Sequence, residues 1–88
     1  PNPIEELLTQ GLNWELDRGF WREMTATDAL IQAGFVGIPR PGDAMKAARV
    51  LRKLTGTTSK KTGHENARMW RLPPKKERES ASVSYLYR

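Results

Sequence analysis

Between Ala44 and Leu54 the chain carries two opposed faces on one helical wheel. At roughly 100° per residue, Ala44, Ala47, Ala48, Leu51 and Leu54 form an apolar stripe at spacings i, i+3, i+4, i+7 and i+10. Lys46, Arg49 and Lys53 fall on the other side, with Arg52 at its flank. The stripe calls for a small hydrophobic core, and the basic face calls for an anion. A recognition helix in a DNA groove satisfies both, whereas an ordinary amphipathic helix with a solvated basic face satisfies only the first. The surrounding elements favour the recognition helix.

The same patterning predicts a first helix from Pro3 to about Trp14. Ile4, Leu7, Leu8 and Leu12 share a face, Pro3 suits the first turn, and Glu5 and Glu6 complement the positive end of the helix dipole. Gly11 weakens its final turns. Asp17-Arg18-Gly19 signals a turn. Phe20 to Met24 is short, aromatic-rich and without helical period, so it reads as a strand with Phe20 and Met24 on one face and Arg22 between them. Thr25 with Asp28 three residues on resembles a capping box for a helix from Ala26 to Ala33, with Ala29, Leu30 and Ala33 inward and Gly34 as its stop. Phe35 to Gly42 is a turn whose two prolines block helix continuation. Asp43 is expected to cap the basic helix, which should end near Gly56. Thr57–Lys60 and Ala67–Leu72 are β-compatible runs joined by the polar link Lys61-Thr62-Gly63-His64-Glu65-Asn66.

The predicted order is helix, strand, helix, turn, helix, strand, basic hairpin, strand. That is the order of an α+β winged helix-turn-helix, with three helices and a small antiparallel sheet carrying a basic wing. The winged-helix domain is expected over residues 1–74. Pro73-Pro74 would end it, leaving 75–88 as a flexible basic and polar tail that closes on Tyr85-Leu86-Tyr87.

Composition narrows the class. Eighty-eight residues suit one small domain, and 38% hydrophobic with 28% charged residues suits a soluble, cytoplasmic chain. No membrane-length apolar run or signal pattern is seen, and the chain contains no cysteine, which excludes disulfides and thiolate zinc sites. The start at Pro1 rather than Met reads as a domain from a longer protein. The net charge of +5 is unevenly spread: residues 1–39 carry −4 and residues 40–88 carry +9. Such asymmetry points to a polyanionic partner for the second half.

The candidate DNA-binding residues are Arg40, Lys46, Arg49, Arg52, Lys53, Lys60, Lys61, His64 and Arg68. Arg49 is the strongest candidate for a base contact, since its planar fork matches guanine O6 and N7. Arg40 precedes the basic helix and suits a phosphate, while Lys60, Lys61, His64 and Arg68 belong to the wing. Thr25, Thr27 and Asp43 mark helix starts whose N–H groups suit phosphates. Trp21 and Trp70 are assigned to the core, and Trp14 falls at the end of the first helix. His64 has only Glu65 beside it, so no metal or other cofactor is expected. Thr55 to Lys61 lacks P-loop spacing, and the serines have no base partner, so no catalytic residue is assigned.

Met24-Thr25-Ala26-Thr27-Asp28-Ala29-Leu30, Ala47 to Gly56, and Arg68-Met69-Trp70-Arg71-Leu72 together resemble the winged-helix module that follows the ATPase domain in phage- and plasmid-borne replication helicases of the virulence-associated E and primase–helicase kind. Such modules follow the pattern T-A-x-[DE]-x-L, A-x-x-L-x-x-L-G, R-x-W. Leu54-Thr55-Gly56 departs from it by placing Thr before the glycine. The resemblance implies binding of duplex or forked DNA for an attached ATPase or helicase domain in a mobile-element replication protein. A protein-interaction module, such as a small phage-encoded regulator or inhibitor using Glu5, Glu6 and the Tyr85-Leu86-Tyr87 segment, is the alternative. RNA binding through the basic tail is a third.

Overall fold

The computed structural model describes residues 2–61 and 68–76. Helix α1 (Pro3–Gly11) begins at Asn2, whose side-chain oxygen accepts the N–H groups of Ile4 and Glu5 at 3.0 and 3.4 Å. The helix is shorter than its periodicity predicts. It stops at Gly11, and Leu12 turns into extended backbone while its side chain still enters the core. Gly11 itself is set by a close approach. A Cβ on Gly11 would lie 2.5 Å from the Ala33 carbonyl oxygen and 2.7 Å from the Ala33 Cβ. α1 and α2 (Ala26–Ala33) therefore touch backbone to backbone at this point.

Residues 17–24 correct the expected strand. Asp17 caps a 3-10 turn over Arg18–Phe20 by accepting the Gly19 N–H, and β1 is only Arg22–Met24. Phe20 lies in that turn, largely exposed, while Met24 is buried, so the two do not share a strand face. A short aromatic run fits a strand or a turn equally well, and here the Asx-type cap at Asp17 decides.

α2 matches its expected bounds. Thr25 Oγ1 accepts the Asp28 N–H at 3.1 Å, the Asp28 carboxylate accepts the Thr25 N–H, and Gly34 closes the helix in the left-handed region at φ 105°. Ala29 and Leu30 are buried, with Ala33 partly so. α3 (Pro41–Thr55) starts three residues earlier than expected. Pro41 opens it as the first helical residue, Arg40 is its cap residue, and Asp43 reaches back to accept the Arg40 N–H at 2.9 Å. Asp43 is thus a first-turn residue rather than the cap. Gly56, at φ 73°, ends the helix as expected.

The three helices pack on one another, and α2 also touches β3. β3 (Arg68–Leu72) is the central strand of an antiparallel sheet ordered β1-β3-β2, with β2 at Lys60–Lys61. Met24 faces Trp70 in register on one side of β3, and Lys61 faces Arg68 on the other. Leu8, Leu12, Leu30, Leu51 and Leu72 are essentially inaccessible to solvent at the centre, joined by Ile4, Met24, Val50 and Trp70. Trp14 packs against this core and donates its indole N–H to the Leu8 carbonyl. Trp21 does not reach the core. It meets Trp14 edge to face at 5.6 Å, donates to the Leu16 carbonyl, and is covered by the Arg18 guanidinium 5.2 Å from its ring centre. Trp70 is the core tryptophan.

Backbone pairing runs on past Pro73-Pro74: Asn13 donates to the Pro74 carbonyl and Lys76 to that of Gly11, at 2.9 and 2.8 Å. Thr62 to Ala67, including His64, and the segment from Glu77 to Arg88, including Tyr85-Leu86-Tyr87, lie outside the described residues. No helix among the described residues is long and apolar enough to cross a membrane.

The contact at Gly11 gives a direct test. Gly11→Ala should destabilise the fold by about 1–3 kcal/mol through overpacking, read as a lower urea midpoint. An unchanged midpoint would show that α1 and α2 are not held at backbone contact.

Candidate nucleic-acid interface

Burial along α3 divides the helix. Ala47, Val50 and Leu51 are buried, and Ala44, Ala48 and Leu54 are partly covered. Val50 belongs to the buried side, although the sequence pattern left it out of the stripe. The outer side reads Gly42, Met45, Lys46, Arg49, Arg52, Lys53 and Gly56, all exposed, at i, i+3, i+4, i+7, i+10, i+11 and i+14. The predicted cationic face is therefore a continuous exposed stripe, and Met45 is an unanticipated member.

Two open depressions flank the stripe, and Arg49 lines both. On the sheet side, a cleft of about 530 Å³ is bounded by Ala48, Arg49, Arg52, Thr58, Ser59, Arg68 and Trp70. The guanidinium of Arg68 on β3 lies 3.5 Å from Ser59 Oγ. Three arginines from two elements thus border one concavity, with two hydroxyl side chains and no carboxylate among its lining residues. On the α1 side, a depression of about 380 Å³ is lined by Asn2, Pro3, Glu5, Lys46, Arg49, Val50 and Lys53. Here Lys53 Nζ meets Glu5 Oε2 at 3.0 Å, the only ion pair among the described residues. The two margins of α3 consequently differ in electrostatics. Glu5 partly neutralises the α1 margin, and the sheet margin is uniformly cationic.

The remaining predicted positions fall as follows. Arg40 is exposed at the entrance to α3, and Lys60 is exposed on β2. Lys61 pairs with Arg68 through the strand backbone. Two helix starts are less open to phosphate than expected, because Asp28 occupies the Thr25 N–H and Asp43 the Arg40 N–H. Thr58, Ser59 and Glu5 were not anticipated in the site. Thr58 and Ser59 sit in a polar run that signals only a strand approach, and Glu5 meets Lys53 across 48 residues of sequence.

Over Val36–Lys61 the chain has seven Lys or Arg and one carboxylate, Asp43. A partner seated along α3 therefore meets a largely cationic field, relieved where Glu5 borders Lys53. Among the described residues no group of three or more His, Asp or Glu is placed to hold a metal. Compared with family models, with curated proteins and with solved structures, the chain has no match. The site is accordingly read from its own chemistry.

The Glu5–Lys53 pair is solvent-exposed, with side chains 38% and 68% accessible, so it contributes little to stability. A double-mutant cycle with Glu5→Gln and Lys53→Gln, followed by urea unfolding, should give a coupling below about 1 kcal/mol. A larger coupling would make the pair a fastener between α1 and α3 rather than an electrostatic feature of the surface.

Proposed function

We propose that this chain is a winged helix-turn-helix that binds duplex DNA, with α3 in the major groove and the β2–β3 hairpin as its wing. The observation that carries the reading is the exposed α3 stripe of Lys46, Arg49, Arg52 and Lys53, continued by Arg68 across the sheet-side cleft. The order of elements and the β1-β3-β2 sheet support the same reading.

In this arrangement the roles divide by reach. Arg49 stands mid-stripe and borders both depressions, which suits contact with a base edge at the groove floor. Arg52, Arg68, Ser59 and Thr58 line a cleft that suits a phosphodiester strand, bound by charge and by hydroxyl donors. Arg40, Lys60 and Lys61 extend the phosphate contacts. The chain does no chemistry of its own in this role. The likeness of residues 24–72 to replication-helicase modules supports an appended domain that holds DNA for a motor elsewhere in a mobile-element protein. A second reading is protein docking away from α3, where exposed Phe20 borders a depression with Leu16, Arg22, Met24, Gln32 and Pro74.

Anisotropy of labelled duplex DNA across salt concentrations tests the proposal. Four to six phosphate contacts give a log–log slope of roughly −4 to −5. Arg52→Gln with Arg68→Gln should lower the magnitude of that slope by about 2. Arg49→Ala should cost about 1–3 kcal/mol on the preferred sequence and relax base preference, whereas Lys61→Ala should weaken all sequences alike. Glu5→Gln should tighten binding by releasing Lys53. Absence of binding at low salt would remove the proposal and leave protein docking.

A further inference from the structure

Four of the five large hydrophobic side chains that stand exposed in the described chain fall between residues 31 and 45, the stretch that leads into α3. They are Ile31 at the end of α2, Val36 and Ile38 in the turn, and Met45 in the second turn of α3. Val36 and Ile38 are 92% and 89% accessible, values at which a β-branched apolar side chain has no packing role in the fold. Met45 is 62% accessible and lies on the same outer stripe as Lys46 and Arg49.

Gly42 is the second oddity of this stretch. It sits in the first turn of α3, where a glycine weakens the helix, and a Cβ there would meet nothing within 4 Å. Its φ is not positive, so neither backbone conformation nor internal packing requires glycine. The outer stripe of α3 therefore has two halves. The first half, Gly42 and Met45, is bare and apolar, and the second, from Lys46 onward, is cationic.

A partner for this stripe must present apolar groups and negative charge within a few helical turns. Cations surround the apolar half: Arg40 precedes it, Lys46 and Arg49 follow, and Asp43, the only carboxylate from Val36 to Lys61, is turned back onto the Arg40 N–H. A membrane surface fits less well, because the broad apolar side of α3 is buried against α1 and α2. In a major groove the matching apolar group is the thymine 5-methyl, set between phosphate rails.

Resting on the DNA-binding reading above, we infer that Met45 contacts thymine methyl groups. Gly42 leaves the first turn of α3 narrow enough to approach the groove floor. The cationic half then fixes position on the backbone, and the apolar half confers a preference for thymine.

Replacing thymidine by deoxyuridine removes that methyl and nothing else. The probes are an alternating dA·dT duplex and the same duplex with deoxyuridine throughout, titrated by anisotropy at fixed salt. The wild-type chain should bind the uracil duplex more weakly, by roughly fourfold for each buried methyl lost. Met45→Ala should bind both duplexes alike with its salt slope unchanged, and Gly42→Ala should weaken the thymine duplex without unfolding the chain. Phe20→Ala, an exposed apolar change away from α3, should keep the wild-type discrimination. Equal wild-type binding of both duplexes with a steep salt slope would overturn the inference and leave DNA binding standing. So would discrimination that survives in Met45→Ala, since it would then belong to the DNA. Failure to bind either duplex would remove both, and capture on phosphatidylserine vesicles that Met45→Ala abolishes would assign the patch to a membrane instead.

Discussion

The structure depends on one buried contact set: Leu8 of α1, Leu12 just beyond it, Leu30 of α2, Leu51 of α3 and Leu72 of β3, each withdrawn from solvent. Every major element contributes one of these side chains, and each is worth about 1.5–3 kcal/mol on burial. In a chain with no cysteine, packing of this kind is what sets α3 in place. The close approach at Gly11 and Ala33 belongs to the same constraint, because it lets α1 and α2 converge beneath α3. Ala47 is fully buried and Ala48 packs against the core, so one side of α3 is seated while the other is presented.

From that seating the electrostatics follow. Once Ala47, Val50 and Leu51 face inward, helical geometry forces Lys46, Arg49, Arg52 and Lys53 outward. The sheet brings Arg68 and Ser59 beside them, and α1 brings Glu5 to the opposite margin. The surface is thus graded. It is cationic toward the hairpin, partly neutralised toward α1, and apolar toward the α2–α3 turn. A groove with charged rails and an informative floor is the partner whose chemistry varies in the same way.

Much of this was legible in the residues. The Thr25–Asp28 box and Gly34 fixed α2, because capping chemistry is local and acts within four residues. Gly56 fixed the end of α3 for the same reason. The sequence is ambiguous where one residue has two local uses. Pro41 both forbids an incoming helix and favours an outgoing one, and only the second use applies here. Phe20 has strand propensity but sits in a turn set by the Asp17 side chain. The cations of the candidate site were readable from the helical period, whereas Glu5 beside Lys53 and the cleft shared by Arg49, Arg52 and Arg68 are products of tertiary packing. Met45 is not legible as a surface residue, because a methionine in an amphipathic pattern is ordinarily core and its exposure is visible only in three dimensions.

The most direct test is an amide and side-chain NMR titration of this chain with duplex DNA. The account predicts shifts that follow the outer stripe from Gly42 to Lys53 and continue through Ser59 and Arg68, with Phe20, Arg22 and the Trp21 indole unmoved. Shifts confined to the Phe20 side, or none at any ratio of DNA to protein, would contradict it.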